Sequence, residues 1–350
     1  MRTRTAMELI STLVILLLAW VVLLALDLLA AGLLALVGAG FKKVFCWGLL
    51  ALLIPPLMML YGILVERNCY RVVPVEVPVE GLPEAFDGYR IAQISDLHLR
   101  SYRKRPASLR RAVKTLNGTG ADLIAFTGDL VTMDPDELDA PAGKAGNLAG
   151  ILSGIQAPDG VMAILGNHDY LLYGSYESEA DRQEALSELI EKERALGWDL
   201  LLDEHRILRR PGTQADGESP RQDSLAVIGV QNWSASRHFP AKGDLAKASA
   251  GTEGLCRILL THDPTHWDAQ IVGQDYPLTL SGHTHAIQFS LLGWCPSRYV
   301  FKEYRGLYKA GDNQYLYVNP GLGETIFPAR IGVRPEITLI TLRKKPNNHA

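Results

Sequence analysis

Cysteine is scarce in this chain. Its 350 residues hold four, Cys46, Cys69, Cys256 and Cys295, and no two form a Cys-x-x-Cys pair. That excludes a disulfide-stapled scaffold and a cysteine-based zinc module. An excess of positive charge is also missing. Residues 1–72 carry six Lys/Arg and three acids; the totals of 35 and 38 leave 29 bases and 35 acids in the remainder, a net charge of −6. Such a remainder is unsuited to bulk nucleic-acid binding, which needs a basic surface to neutralise phosphates. Internal repeats and long low-complexity tracts are absent too. At 47% hydrophobic and 8% aromatic the chain can bury a large core, which excludes disorder.

Charge is missing altogether from two runs, Leu9–Leu26 (18 residues) and Val44–Val65 (22 residues). Each is long enough to cross about 30 Å of hydrocarbon as a helix. A cleaved signal peptide is the competing reading, because Arg2 and Arg4 precede the first run. The run is too long for that and a second follows, so both read as retained spans. The apolar stretch between Asp27 and Phe41 is too short for a straight span of its own. It reads as an extension of the first helix to about residue 36, or as an interfacial piece. Asp27 fits the membrane interface better than an intramembrane functional role. Pro55-Pro56 reads as a bend. Arg2, Arg4, Arg67 and Arg71 flank the pair of spans, and Lys42 and Lys43 lie between them. Four bases against two place both termini on the cytoplasmic side of a multi-pass membrane protein. The expected division is a membrane segment at 1–71, a linker at 72–85, a catalytic domain at 86–345 and a tail at 346–350. Pro74, Pro78 and Pro83 make the linker extended, or an edge strand.

Beyond it, short apolar runs each end in a polar cluster. Tyr89–Ser95 leads to Asp96-Leu97-His98, and Asp122–Thr127 to Gly128-Asp129. Val161–Leu165 leads to Gly166-Asn167-His168-Asp169. Cys256–Leu260 leads to Thr261-His262-Asp263, and Leu278–Leu280 to Ser281-Gly282-His283-Thr284-His285. The runs have the length and content of buried strands, as do Leu225–Val230 and Tyr315–Val318. Leu109, Ala112, Val113 and Leu116 keep helical spacing before Asn117-Gly118, as does the pattern in Glu177–Leu196 before Gly197. Strands alternating with helices predict an α/β domain, whose ligands gather at strand carboxyl ends. Pro211–Gln222 reads as an exposed loop.

His98, His168, His262, His283 and His285 stand in these clusters with Asp96, Asp129 and Asn167. A nitrogen and oxygen set without sulfur suits manganese, iron or zinc. Two divalent ions facing Asp96 and Asp129 keep positive charge for an anionic phosphate. Each motif alone is weak, and a single histidine at a strand end is more often a satisfied core residue. Together and in this order they are very specific. The pattern Asp-x-His, Gly-Asp, Gly-Asn-His-Asp, His, Gly-His-x-His resembles the calcineurin-like metallophosphoesterases over about residues 86–343. Ile164–Asp169, Leu259–Pro264, Leu280–His285, Tyr317–Gly323 and Arg334–Ile337 are most similar to the membrane-associated YkuE/YaeI-like branch. Two departures flank the ligands: Arg100, where many relatives have Gly, and Ala286-Ile287-Gln288, where many have Gly-Gly-Gln.

The resemblance implies two packed mixed β-sheets flanked by helices, an αββα sandwich. It implies Asp96, His98 and His285 on one metal, Asn167, His262 and His283 on the other, and Asp129 bridging. His168 would protonate or stabilise the leaving oxygen, and Asp169 would orient His168 through its second ring nitrogen. The implied activity is hydrolysis of a phosphoester or pyrophosphate bond by hydroxide that the two metals activate. The substrate class is a phosphorylated small molecule or a phosphorylated or nucleotide-linked lipid of the UDP-diacylglucosamine type. The other readings are a catalytically silent membrane-tethered scaffold or sensor of the same fold, and a transporter. A silent scaffold should have lost ligands, and two spans with at most one interior charge make a poor transport path.

Other polar residues have plainer expectations. His266 reads as pocket wall or surface, because Pro264 interrupts a helix from His262. His205 and His238 read as solvated. Asn232 and Trp233 are divided between lining the site and packing, and Arg330 between phosphate contact and closing the fold. Cys295 reads as part of a turn. Between Leu97 and Ala121 stand seven bases and no acid. Arg110, Arg111 and Lys114 fall on a solvated helix face. Arg100, Arg103, Lys104 and Arg105 leave the ligand His98 and are the candidate substrate-binding residues, facing the lipid bilayer as partner. No protein partner and no nucleic acid is implied.

Overall fold

A computed structural model describes residues 2–212 and 222–345, with side chains from residue 9 onward. The expected Pro211–Gln222 loop and the tail at 346–350 lie largely outside the described residues. The chain divides into two compact units. One is Met1–Cys69, Gln288–Trp294 and Glu324–Arg334; the other is Tyr70–Ile287, Cys295–Gly323 and Pro335–Ala350.

The first unit begins with helix α1, Arg2–Leu36, which runs unbroken through Asp27. The second apolar run is three pieces: α2 at Phe41–Gly48, a 3₁₀ stretch at Leu49–Leu53 and α3 at Ile54–Leu64. The break follows from Pro55 and Pro56, which have no N–H to donate. The Ile54 N–H tightens onto the Ala51 carbonyl. The Leu52 carbonyl, which would otherwise take the N–H of residue 56, accepts Trp20 Nε1 at 2.7 Å. By length and apolarity, Leu9–Leu36 and Phe41–Asn68 are each candidate membrane spans. Segments 288–294 and 324–334, which the sequence reading places in the catalytic domain at 86–345, group with this unit. Met59, Phe327 and Ala329 bury together, with Leu16, Ile63 and Phe289 against them.

The second unit holds twelve strands among the described residues: β1 Arg71–Val79, β2 Arg90–Ile94, β3 Leu123–Phe126, β4 Val161–Ala163, β5 Asp199–Leu200, β6 Glu204–Pro211, β7 Gln222–Gly229, β8 Cys256–Leu260, β9 Leu278–Ser281, β10 Gly306–Ala310, β11 Gln314–Val318 and β12 Glu336–Lys344. One sheet has the order β1-β12-β2-β3-β4-β5, the other β10-β11-β9-β8-β7-β6. Both are mixed. Strands β2 to β5 run parallel, as do β7, β8, β9 and β11. Period-2 alternation assigns each face. Ile91, Leu123, Ile258 and Leu260 share one core with residues of both sheets. Ala92, Ile94 and Phe126 turn to the opposite face, against Leu109 and Leu116 of helix α4, Pro106–Asn117. After the short helix α5, Ala149–Leu152, comes α6, Glu179–Ala195, which adds Leu189 to that core. Ile228 and Leu259 face Ala248 of helix α7, Leu245–Ser249, and Trp267. The result is the expected αββα sandwich.

Of the two expectations for 72–85, extended linker or edge strand, the first part takes the second: it is strand β1 at the edge of its sheet. It pairs with β12 in parallel along nine residues. The Arg71 N–H donates to the Pro335 carbonyl, so odd-numbered N–H groups face β12. Pro74 and Pro78 are even-numbered and put their missing donors on the outer edge, where the ladder needs none.

Candidate metal centre

Each cluster continues from the carboxyl end of a parallel strand. Asp96 and His98 follow β2, Asp129 follows β3, and Asn167, His168 and Asp169 follow β4. His262 follows β8, while His283 and His285 follow β9. Backbone bonds stitch these loops together: Asp96 N–H to the Gly128 carbonyl, His98 N–H to that of Asp129, and Gly282 N–H to that of His262. The motif glycines serve this close approach. A Cβ at Gly166 would overlap Asp129, and one at Gly282 would overlap Ser95 and the Asp96 carboxylate. Five of the clustered residues have left-handed backbone: Asp96 at φ 51°, His98 at 43°, Asp129 at 61°, His283 at 73° and His285 at 50°. Each such non-glycine conformation costs about 1–3 kcal/mol, and such strain collects at functional sites.

The side chains converge. Asp96, His98 and His285 place donor atoms within 4.8 Å of one another, as do Asp96, Asp129 and His262. So do His98, Asp129 and His168, which puts His168 within ligand range. Asn167 Oδ1 lies 3.1 Å from His262 Nε2 and 2.8 Å from His283 Nδ1. The seven expected ligands therefore form one connected cluster.

The donor set fits divalent cations. His98 Nε2 and His285 Nε2 face each other at 3.0 Å. His98 Nδ1 is buried and has no hydrogen-bond partner among the described residues. Burial holds the His98 pKa well below its ordinary value. Burial alone would raise Asp96 and Asp129, but the histidines around them hold both carboxyls below the usual range. Burial would lower His262, yet the Asp129 and Asp96 carboxylates and the Thr127 carbonyl raise its pKa to about 10. His262 Nε2 lies 3.2 Å from Asp129 Oδ2 and 3.1 Å from Asn167 Oδ1, and the carboxylates favour a proton there. A bound divalent cation would supply the positive charge that this proton supplies here.

One expected contact is corrected: Asp169 does not hold the His168 ring. His168 Nδ1 faces the Thr132 carbonyl at 2.8 Å. The Asp169 carboxylate instead accepts the backbone N–H groups of Asp129 at 2.8 Å, Gly166 at 2.8 Å and Val131 at 3.1 Å. It follows His168 inside a 3₁₀ turn, His168–Tyr170, which aims consecutive side chains apart.

Several neighbours carried no signal in the sequence reading. Buried Glu137 accepts the Arg100 N–H at 3.0 Å and the Thr132 N–H at 2.8 Å with one oxygen. Tyr173 receives Asn167 Nδ2 at 3.1 Å, and its ring lies 4.3 Å from that of His168. Asp263 faces His283 Nε2 at 3.7 Å. Phe239 and Phe301 set ring edges against His283 at 4.7 and 5.8 Å. Phe301 also lines a cleft of about 320 Å³ with Ala235, Pro264, Ala269, Val300 and Lys302. Only Asp263 had a sequence cue, its place beside His262 in the Thr-His-Asp-Pro cluster.

The candidate substrate-binding residues separate. Arg100 is half-buried, its guanidinium against Met133 Sδ at 3.3 Å. Arg105 donates to the Ser101 carbonyl and lies over the Tyr102 ring at 5.1 Å. Arg103 and Lys104 are exposed. His266 is fully buried, which corrects the surface option; it bonds Thr261 and Gln270 and stacks on Trp233. His205 is also not simply solvated, since its Nδ1 meets the Ala248 carbonyl at 2.9 Å from strand β6. Asn232 is buried and donates to the Pro240 carbonyl. Arg330 is fully buried, and Cys295 packs on the Ala286 carbonyl.

The sequence from 89 to 286 matches the calcineurin-like phosphoesterase family. Over 304 residues the chain is 32% identical to a transmembrane protein with metallophosphoesterase domain from Danio rerio, covering 84% of itself and 62% of that protein. It therefore spans about three fifths of that relative. It is 33% identical over 271 residues to the metallophosphoesterase YkuE of Bacillus subtilis, covering 75% of itself and 82% of YkuE. It is 26% identical over 307 residues to the UDP-2,3-diacylglucosamine pyrophosphatase LpxG of Chlamydia trachomatis, covering 77% of itself and 88% of LpxG. The matched region carries all seven converging donor residues, and the chain belongs to the calcineurin-like phosphoesterases.

Proposed function

We propose that this chain is a membrane-anchored, two-metal phosphohydrolase that cleaves a phosphoester or pyrophosphate bond in a lipid-linked substrate. The observation that carries the reading is the convergence of seven nitrogen and oxygen donors from five strand ends, several on strained backbone. Asp96, His98 and His285 would hold one ion, Asn167, His262 and His283 the other, and Asp129 would serve both. Bound divalent ions supply Lewis-acid charge and lower the pKa of water.

The protein residues divide the remaining work. Thr127 accepts His262 Nδ1 at 2.7 Å, which leaves Nε2 as the donor atom. Thr132 does the same for His168, so the proton that reaches the leaving oxygen comes from His168 Nε2. Asp169 fixes the backbone that carries Asp129 and leaves the proton transfer to His168. Tyr173, Phe239 and Phe301 wall the site, and the cleft beside Phe301 takes the part of the substrate beyond the phosphate. Arg103 and Lys104 draw an anionic head group toward the site, each contributing about 1 kcal/mol near an anionic surface.

The lipid class rests on the two apolar helices and on the likeness to LpxG. The orientation, with the catalytic part cytoplasmic, rests on the four-to-two count of flanking bases. Purified full-length protein loaded with Mn²⁺ should hydrolyse UDP-2,3-diacylglucosamine or an aryl phosphodiester. Asp129→Ala should lose both bound ions and the activity. Two bound ions without turnover on mono-, di- or pyrophosphate esters would make the chain a silent scaffold. Reporter fusions at Ala350 test the side.

A further inference from the structure

We infer that the turn at Leu291–Trp294 is a third membrane contact, a short apolar hairpin that seats in the bilayer interface beside the second span. The inference rests on the membrane reading of α1 to α3. The hairpin belongs to the same compact unit as those helices. Leu291 and Trp294 exchange backbone hydrogen bonds at 2.8 and 2.9 Å, closing a two-residue turn. Both central residues have positive φ, Leu292 at 49° and Gly293 at 86°. This is the type I′ pattern, in which Asn or Asp normally precedes Gly.

Leucine is a poor choice there on both counts. Its backbone is strained in the left-handed region. Its side chain is 100% exposed, with Leu291 at 45% and Trp294 at 48%. No charged residue stands between Gln288 and Trp294. In water, Asn at 292 would relieve the strain and cover no less surface. An apolar tip at this position makes sense when the surrounding medium is apolar, and tryptophan is enriched at the membrane–water boundary.

The attachment sets the depth. Phe289 bridges to Ile331, and the Ser290 N–H donates to the Ile331 carbonyl at 2.7 Å. Segment 327–332 is strapped to the end of the second span. A Cβ at Gly62 would stand 2.8 Å from the Arg330 carbonyl oxygen and 2.9 Å from Ile331. Arg67 donates to the Pro328 carbonyl at 2.8 Å, and Glu66 accepts the Gly332 N–H at 2.9 Å. Glu66 and Arg67 end the apolar run and mark where it meets the head groups. The Ser290 bond fixes the hairpin to that segment, within the same compact unit as the span.

The test uses full-length protein in phosphatidylcholine/phosphatidylglycerol vesicles with a fluorescent amino acid encoded at one position. Quenching is read with lipids doxyl-labelled at carbon 5 or at carbon 12. A probe at Leu292 should be quenched at least about twofold more by the shallow label. A probe at Leu17, inside the first span, should respond to the deep label, and one at Asp312 to neither. If Leu17 is quenched and Leu292 behaves like Asp312, the hairpin faces water and the inference falls while the spans stand. If Leu17 is not quenched, the membrane reading fails and the hairpin with it. Leu292→Asn should leave thermal stability in detergent unchanged or raise it. A fall of several degrees would show that Leu292 packs inside the protein, against the proposal.

Discussion

Asp169 grips Asp129 by its backbone: one carboxylate oxygen accepts the Asp129 N–H at 2.8 Å and the Gly166 N–H at the same distance, and the other takes that of Val131. Asp169→Asn keeps one acceptor oxygen and turns an amide N–H₂ toward a buried donor. The unmet donor should cost about 1–3 kcal/mol. The thermal midpoint should fall by several degrees, and bound metal should fall with it, because Asp129 loses its brace. A variant with normal melting and two bound ions would show that this grip is dispensable.

His168→Ala separates binding from proton transfer. Turnover should fall by about 10²–10⁴, the usual loss for a positioned proton donor. The loss should be smaller for nitrophenyl esters than for alkyl esters, whose leaving oxygens need the proton more. Elemental analysis should still give close to two ions. Because His168 also lies within ligand range of His98 and Asp129, a drop to one ion would instead make it a ligand.

Glu137 holds two backbones that matter to that proton. It takes the Thr132 N–H, whose own carbonyl faces His168, and the Arg100 N–H beyond His98. Burial raises its pKa to about 7. A neutral glutamine can therefore stand in its place. Glu137→Ala should lower kcat and show the leaving-group dependence of His168→Ala with metal content intact. Glu137→Gln should restore most of the rate. Equal losses in both variants would mean that its charge, not its acceptor geometry, is needed.

His266 should make the fold acid-sensitive. Burial lowers its pKa from 6.5 to about 4, against the opposing pull of Gln270, Asp263 and Asp203. The folded value lies below the unfolded one, so as pH falls the unfolded chain takes up a proton that the fold refuses. The stability is fully present above about pH 6.5 and is lost toward pH 4, about 2 kcal/mol of it by pH 5. Thermal midpoints at pH 7.5 and pH 5 should therefore differ more for the wild-type protein than for His266→Asn. Equal differences would show that His266 titrates as it does in the unfolded chain.

The sequence by itself determined the elements and residue types of the metal centre. Apolar runs of four to seven residues ending in Asp, Asn or His are a local pattern, and a parallel strand ends where its polar cluster begins. Strands β2, β3, β4, β8 and β9 and helices α4 and α6 were legible for that reason. So were Asp96, His98, Asp129, Asn167, His262, His283 and His285, which the fold gathers into one cluster. What only the tertiary structure decided depends on residues far apart in the chain. The prolines allowed an edge strand at Arg71–Val79, but its partner β12, with Arg71 bonding Glu336 across 265 positions, was not legible from them. Segment 324–334 packs on the helical unit where Gly62 leaves room for Ala329 and Ile331, and 288–294 follows through its bonds to Ile331. His266 is buried because Trp233 covers it. Asp169 braces backbone rather than the His168 ring because a 3₁₀ turn separates two adjacent side chains. Sequence spacing gives the residue types available to a site; which donor meets which acceptor is settled by packing and by the direction the backbone gives each side chain.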